Sequence, residues 1–195
     1  VSLDEAAFES PTTPLVRVAA GRVELEGDAV RIPGLTASVA SGSVKLQGLI
    51  PVASFWPQAR SRSVGLTPEE EVRLDIEWSG VEAGALLAQL SPARAATVEA
   101  TLAGQAEISG GLASLAEARG TLTLPAITAR VQDLALELAP AEVRLETSRL
   151  STESLEIRGD VGTFRMAGSI DLVSRLIDAS GKGTLDLRSL SPFLE

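Results

Sequence analysis

At 195 residues the chain is long enough to bury a substantial core, but its 45% hydrophobic share is built from Val, Leu, Ile and Ala, with 3% aromatics and no Tyr. The net charge of -9 argues against nucleic acid and against strong attraction to an anionic membrane surface, both of which need clustered Lys and Arg. The absence of Cys and His removes thiolate and imidazole chemistry and the usual zinc sites, so no metal and no cofactor are expected.

Val1 to Phe8 alternates weakly and runs into Pro11 and Pro14, which predicts a short edge strand and a turn. Five rungs follow: Leu15 to Ala19, Arg22 to Glu26, Ala29 to Ile32, Leu35 to Ala40 and Ser43 to Val52, separated by Gly, Pro, Asp or Ser. Links this short make successive strands pair antiparallel, so a meander is expected. Ala53 to Glu71, with Trp56, Pro57, Arg60, Arg62 and Pro68, breaks the alternation and reads as a linker or crossover. Val72, Leu74, Ile76 and Trp78 then alternate through a strand. In Ala83 to Leu90 the period changes: Leu86, Leu87 and Leu90 fall on one helical face, and Pro92 follows the stop. Rungs resume at Thr97 to Leu102 and Gln105 to Ser109, and Leu112 to Leu115 makes a turn or helical cap. Arg119 to Leu124, Ile127 to Val131, Leu134 to Ala139, Glu142 to Thr147, Arg149 to Ser151, Leu155 to Arg158, Thr163 to Leu172 and Ile177 to Arg188 complete the series.

One pattern recurs. Gly42 to Gly48 reads GSVKLQG, and GRVELEG from Gly21, GQAEISG from Gly104 and GTFRMAG from Gly162 repeat its layout. Successive side chains of a strand point to opposite faces, so Gly42, Val44, Leu46 and Gly48 share an apolar face, while Ser43, Lys45 and Gln47 share a wet one. Residues 15 to 52 also match residues 135 to 172 without a gap: Val23 falls on Val143, Leu25 on Leu145, Leu35 on Leu155, Gly48 on Gly168. LAQLSP from Leu87 matches LRSLSP from Leu187 at a different offset, as successive modules of a solenoid-like repeat would. The expected organisation is a first β-groove module over 1–52, a linker over 53–71, a second module over 72–172 opened by the helix at 83–90, and the start of a third over 173–195. The chain is thus expected to be a segment of a longer protein.

The fold expected from this is all-β with one or two short helices, a repetitive antiparallel meander curled into an open, taco-like groove. Its apolar interior would be lined by Val23, Leu25, Val44, Leu46, Leu74, Ile76, Val98, Leu102, Ile108, Leu122, Leu124, Leu136, Leu138, Val143, Leu145, Phe164, Met166, Leu185 and Leu187. Periodicity alone leaves a closed sandwich or barrel core as the alternative. Trp56 and Trp78 are read as anchors of loop and strand, and Glu69, Glu70 and Glu71 as a solvated strand approach. Ser and Thr are plentiful, but no His activates one, Lys45 and Lys182 lack a Ser-x-x-Lys context, and the glycines bracket strands rather than open a helix. No enzyme is expected.

The glycine-bracketed rungs, the ISGGLASLAEARGTLTL stretch from Ile108 to Leu124 and the DLRSLSPFL ending from Asp186 together resemble the repetitive periplasmic region of the AsmA-like family. That resemblance implies a taco-shaped β-sheet in the periplasm of a Gram-negative bacterium, in a protein anchored in the inner membrane. It implies a groove that conducts phospholipid acyl chains between the membranes, and an outer-membrane barrel protein as a further partner. Two other readings stand beside it: a scaffold or chaperone for outer-membrane protein assembly, and a structural β-repeat stalk.

Overall fold

Alternation of aliphatic and polar residues becomes strand along almost all of the chain that the computed structural model describes, residues 2–10, 13–52, 71–90, 98–110, 118–131 and 134–186. The elements are β1 (Ser2–Ser10), β2 (Thr13–Glu26), β3 (Ala29–Val39), β4 (Gly42–Pro51), β5 (Val72–Glu82), α1 (Ala83–Leu90), β6 (Val98–Gly110), β7 (Arg119–Leu124), β8 (Ile127–Val131), β9 (Leu134–Leu138), β10 (Ala141–Glu146), β11 (Arg149–Gly159), β12 (Gly162–Asp171) and β13 (Ile177–Leu185). All thirteen strands belong to one antiparallel sheet, the all-β meander that the rung pattern leads one to expect. β1 pairs only with β2, and β13 only with β12, so among the described residues the sheet has two ends and does not close on itself.

Several rungs that look separate in the sequence are halves of one strand, joined through a bulge. In β3, Ile32 lies opposite Gly48 and Leu35 opposite Leu46, so three residues are matched by two. The extra residue, in the Pro33–Gly34 segment, brings Val30 and Ile32 onto the same face as Leu35, Ala37 and Val39. β2 absorbs a residue between Val18 and Ala20, and β11 between Thr152 and Leu155. β6 likewise runs unbroken through Ala103 and Gly104.

The path departs from a simple meander where β8 pairs with β6 and β9, and β9 with β11. The register explains the departure. Leu124 faces Ala141 and Ile127 faces Leu138, so β7 and β8 are two halves of one track, and β9 and β10 are two halves of its neighbour. Pro125 falls opposite Pro140 in that register. Neither has an N–H to donate, so the ladder is interrupted on both strands at the same level. Against β6 the register slips by one residue between Ala106 opposite Leu122 and Ala100 opposite Ala129, so the links at 125–126 and 139–140 are bulged continuations and not the turns that the rung spacing suggests.

The internal repeat is a repeat of structure. β3 and β11 occupy equivalent positions 120 residues apart, as do β4 and β12. Glu24 opposite Arg31 corresponds to Arg144 opposite Ser151, and the bulge between Ile32 and Leu35 recurs between Thr152 and Leu155. Gly48, with φ 151, corresponds to Gly168, with φ 159. Beyond β4 the offset falls to 105, because Gly48 faces Leu74 while Gly168 faces Ala179. The link 172–176 is shorter than 52–71, and the strand before the helix does not follow the offset that LAQLSP and LRSLSP suggest. Leu187 to Pro192 lie outside the described residues, as do Trp56, Glu69, Glu70 and the segment from Leu112 to Leu115.

α1 forms where two-residue alternation stops, and it touches both β6 and β2 at the strand ends where β5 finishes. The Glu82 N–H donates to the Ala40 carbonyl at 3.1 Å, which fixes the helix start against the β3–β4 turn. Val81, buried beside Gly42, fills that corner: a Cβ on Gly42 would lie 2.5 Å from the valine side chain.

Candidate functional site

Cross-strand partners place their side chains on the same face, so the register assembles the aliphatic residues into rows running across the strands. One row is Leu35, Leu46, Ile76, Ala106, Leu122 and Val143. The next is Ile32, Gly48, Leu74, Ile108, Gly120, Leu145, Leu150, Ile170 and Ile177, which crosses from β3 to β13. At about 4.8 Å between strands, that row is roughly 38 Å long.

Most of the other residues expected from the sequence join the same face. Val44 faces Trp78, Leu124 faces Ala141, and Leu102 faces Val81. Val98 faces Val131, and Leu136 faces Ala129 and Gly159. Leu138 faces Ile157, which in turn faces Phe164, while Met166 faces Leu155 and Gly181. Leu25 faces Val30, Val23 has the same parity on β2, and Leu185 lies opposite Gly162. Leu187 lies outside the described residues. Leu35, Leu150, Leu155, Ile157 and Ile170 belong with them although strand-by-strand alternation did not single them out; their place depends on bulges that alternation cannot locate.

Many side chains of this face are partly exposed. Among the residues whose side chains the structure describes, the buried hydrophobic ones are four alanines, Ile32, Ile127, Val72 and Val81, and none is a leucine. Leu46, Leu74, Ile76, Ile108, Leu122, Val143 and Met166 are all half-exposed. A sandwich core of this width would bury such residues. Exposure rises toward the sheet's ends and turns, to 45% at Phe164, 73% at Leu25 and 70% at Ile177.

Two aromatic rings lie flat on this face, each over glycine. A Cβ at Gly104 would sit 2.5 Å from the Trp78 indole, and one at Gly181 2.8 Å from the Phe164 ring. The missing side chains leave room for the rings over the glycines, Trp78 over Gly104 and Phe164 over Gly181. Gly48 has a separate reason. Its φ of 151 brings it so close to β5 that a Cβ would lie 2.0 Å from the Arg73 carbonyl oxygen.

The opposite face is polar. Lys45 pairs with Glu77 at 3.5 Å, Arg22 with Glu24 at 2.6 Å, and Arg144 with Glu142 at 2.6 Å. Two shallow depressions of about 420 and 340 Å³ lie between side chains of this face; Lys45, Gln47, Asp75 and Glu77 border the first, Arg73, Glu107, Arg119 and Arg144 the second. Glu156 takes hydrogen bonds from Arg165 and, at 2.6 Å, from Arg158, which hold its carboxyl below the usual range. Asp171 is lowered by hydrogen bonds from Ser174 and Val173 in the turn after β12. Exposed pairs of this kind are screened by solvent and contribute little to stability, so the polar face supplies solubility more than stability. Among the described residues no group of three His, Cys, Asp or Glu could hold a metal ion, and no helix is long and apolar enough to cross a membrane.

Comparison of the chain with protein-family models, with curated proteins and with solved structures finds no match in any of the three.

Proposed function

We propose that the chain is a segment of a bridge-like lipid transport protein of the AsmA-like kind, whose apolar face lines an open groove and carries phospholipid acyl chains between two membranes of a cell envelope. The observation behind this reading is the half-exposed aliphatic face that continues from strand to strand, with none of its leucines buried among the residues whose side chains the structure describes. Such a face in water needs an apolar occupant. Each methylene transferred to it from water contributes about 0.8 kcal/mol, so even part of a fatty tail suffices for capture. A single leaflet's hydrocarbon depth, about 15 Å, covers three to four strands, so the roughly 38 Å row offers successive places of similar energy. Contacts of this type have no direction, and a tail moves between them without a large barrier. The polar face meets solvent, and the mechanism involves no covalent step.

Native mass spectrometry of the purified chain tests this: phospholipid is expected to copurify. An acyl-chain photocrosslinker is expected to label Leu46 and Met166 and to leave Lys45 unlabelled. Lipid-free protein that takes up no acyl chain from vesicles refutes the reading and leaves a structural stalk. Displacement of the acyl chain by an unfolded outer-membrane barrel peptide, with no lipid transfer, refutes it in favour of an assembly scaffold of the TamA–TamB kind.

A further inference from the structure

The repeat places a methionine where its other copy has a leucine. Met166 of β12 corresponds to Leu46 of β4, and it lies on the apolar face opposite Leu155 of β11 and Gly181 of β13. It is the only methionine in the chain. The sequence holds no Cys and no Tyr, so apart from two Trp its thioether is the one side chain that peroxide oxidises readily.

β12 has a strand on either side, so β11 and β13 set the lateral surroundings of Met166. Gly181 contributes no side chain there, and the Phe164 ring lies over it. The thioether stays half-exposed, and Phe164 and Ile170 on the same face of β12 are 45% and 43% exposed. A molecule as small as a peroxide reaches the sulfur directly.

We propose that Met166 is a redox-sensitive modification site, at which hydrogen peroxide converts the thioether to the sulfoxide and interrupts the apolar face at β12. The modification stands on the residue and its exposure; its effect on acyl chains rests on the lipid reading above. A sulfur lone pair attacks one peroxide oxygen, and the S–O bond forms as the O–O bond breaks. Hydroxide leaves and takes the remaining proton as water, so sulfur is oxidised by two electrons and the peroxide reduced. The product is a polar acceptor on a face where Leu155, Phe164 and Gly181 offer no side-chain donor. It holds water at that level, which an acyl chain crossing β12 has to displace. Met166 is the middle one of the three apolar side chains that β12 gives to the face, Phe164, Met166 and Ile170, so the interruption falls near the centre of the strand. Leu46, in the other copy of the repeat, is inert to peroxide. Reductases that act on methionine sulfoxide reverse the change.

The test treats the full chain with hydrogen peroxide and follows two readouts by mass spectrometry: oxygen added at Met166, and labelling by an acyl-chain photocrosslinker. One oxygen is expected at Met166 before either Trp is modified, and more slowly when the protein carries acyl chains. Label on Gly162 to Asp171 is expected to fall roughly three- to tenfold, with label at Leu46 unchanged, and to return after a methionine sulfoxide reductase and a thiol. In Met166→Leu, peroxide should leave the label on β12 at the level of the same variant untreated. Tryptophan oxidised ahead of Met166 overturns the proposal. So does full label on the sulfoxide form, or a loss that the reductase does not reverse or that Met166→Leu shares. Untreated protein that takes no label refutes the lipid reading instead, and the order of oxygen addition then decides the site by itself.

Discussion

Replacing Leu46 by Asp separates an open apolar face from a sealed one. Leu46 sits between Leu35 and Ile76 and is half-exposed. Full burial of a leucine is worth about 1.5–3 kcal/mol, so a half-buried one loses roughly 1–1.5 kcal/mol on removal from its row. Aspartate's poor fit to a strand adds up to about 1 kcal/mol. The charge itself can hydrate from the open side and adds little. The expected destabilisation is therefore about 1–2.5 kcal/mol, read from urea denaturation. Met166 is the counterpart of Leu46 in the repeat and is equally half-exposed, so Met166→Asp is expected to cost a similar amount. Both variants should fold and both should fail to capture acyl chains. Under a second layer of structure, the cavity and the buried charge would together exceed about 5 kcal/mol. A loss of that size, or failure to fold, refutes the open face; normal lipid capture by folded Leu46→Asp refutes its role in binding.

Gly48→Ala and Gly168→Ala are each expected to destabilise by about 2 kcal/mol or more, since both combine a positive φ with a Cβ that would press on a neighbouring carbonyl oxygen; unequal effects in thermal melts would break the proposed equivalence of the two units. Gly34→Ala, with nothing within 4 Å of its Cβ, is the matched control and should change stability little. Glu156 has a folded pKa below its ordinary value, so the stability it contributes is present above pH about 4.5 and is lost as pH falls through the folded pKa. Glu156→Gln should therefore flatten the acid limb of the stability–pH curve below that point, and an unchanged limb would show that the arginine pair does not act. In a Trp56→Phe background, Gly104→Ala should lift the Trp78 indole off β6 and shift its fluorescence to longer wavelength; an unchanged spectrum would mean that the ring has another resting place.

The strands and α1 were legible because alternation has a period of two and a helical face does not. The long repeat was legible because aligned residues carry it without gaps over β2 to β4. Bulges hid the rest of the strand pattern. An extra residue at Pro33–Gly34 or Glu153–Ser154 flips the parity and looks like a strand end, so β3 and β11 each read as two rungs. The turns Ala40–Ser41 and Thr147–Ser148 have positive φ at both residues, a geometry usually signalled by Asn-Gly or Asp-Gly, and nothing in Ala-Ser or Thr-Ser announces it.

The sequence by itself determined that the protein is a repetitive β-sheet with one oily and one charged face, because side-chain direction along a strand follows from residue parity alone. Only the tertiary structure decided which residues stand beside Leu46, that Pro125 and Pro140 interrupt the ladder together, and that Leu46, Leu74 and Leu122 keep part of their surface exposed. Those depend on register and on what lies across the face, which are properties of strands far apart in the chain and leave no trace in the periodicity of any one of them.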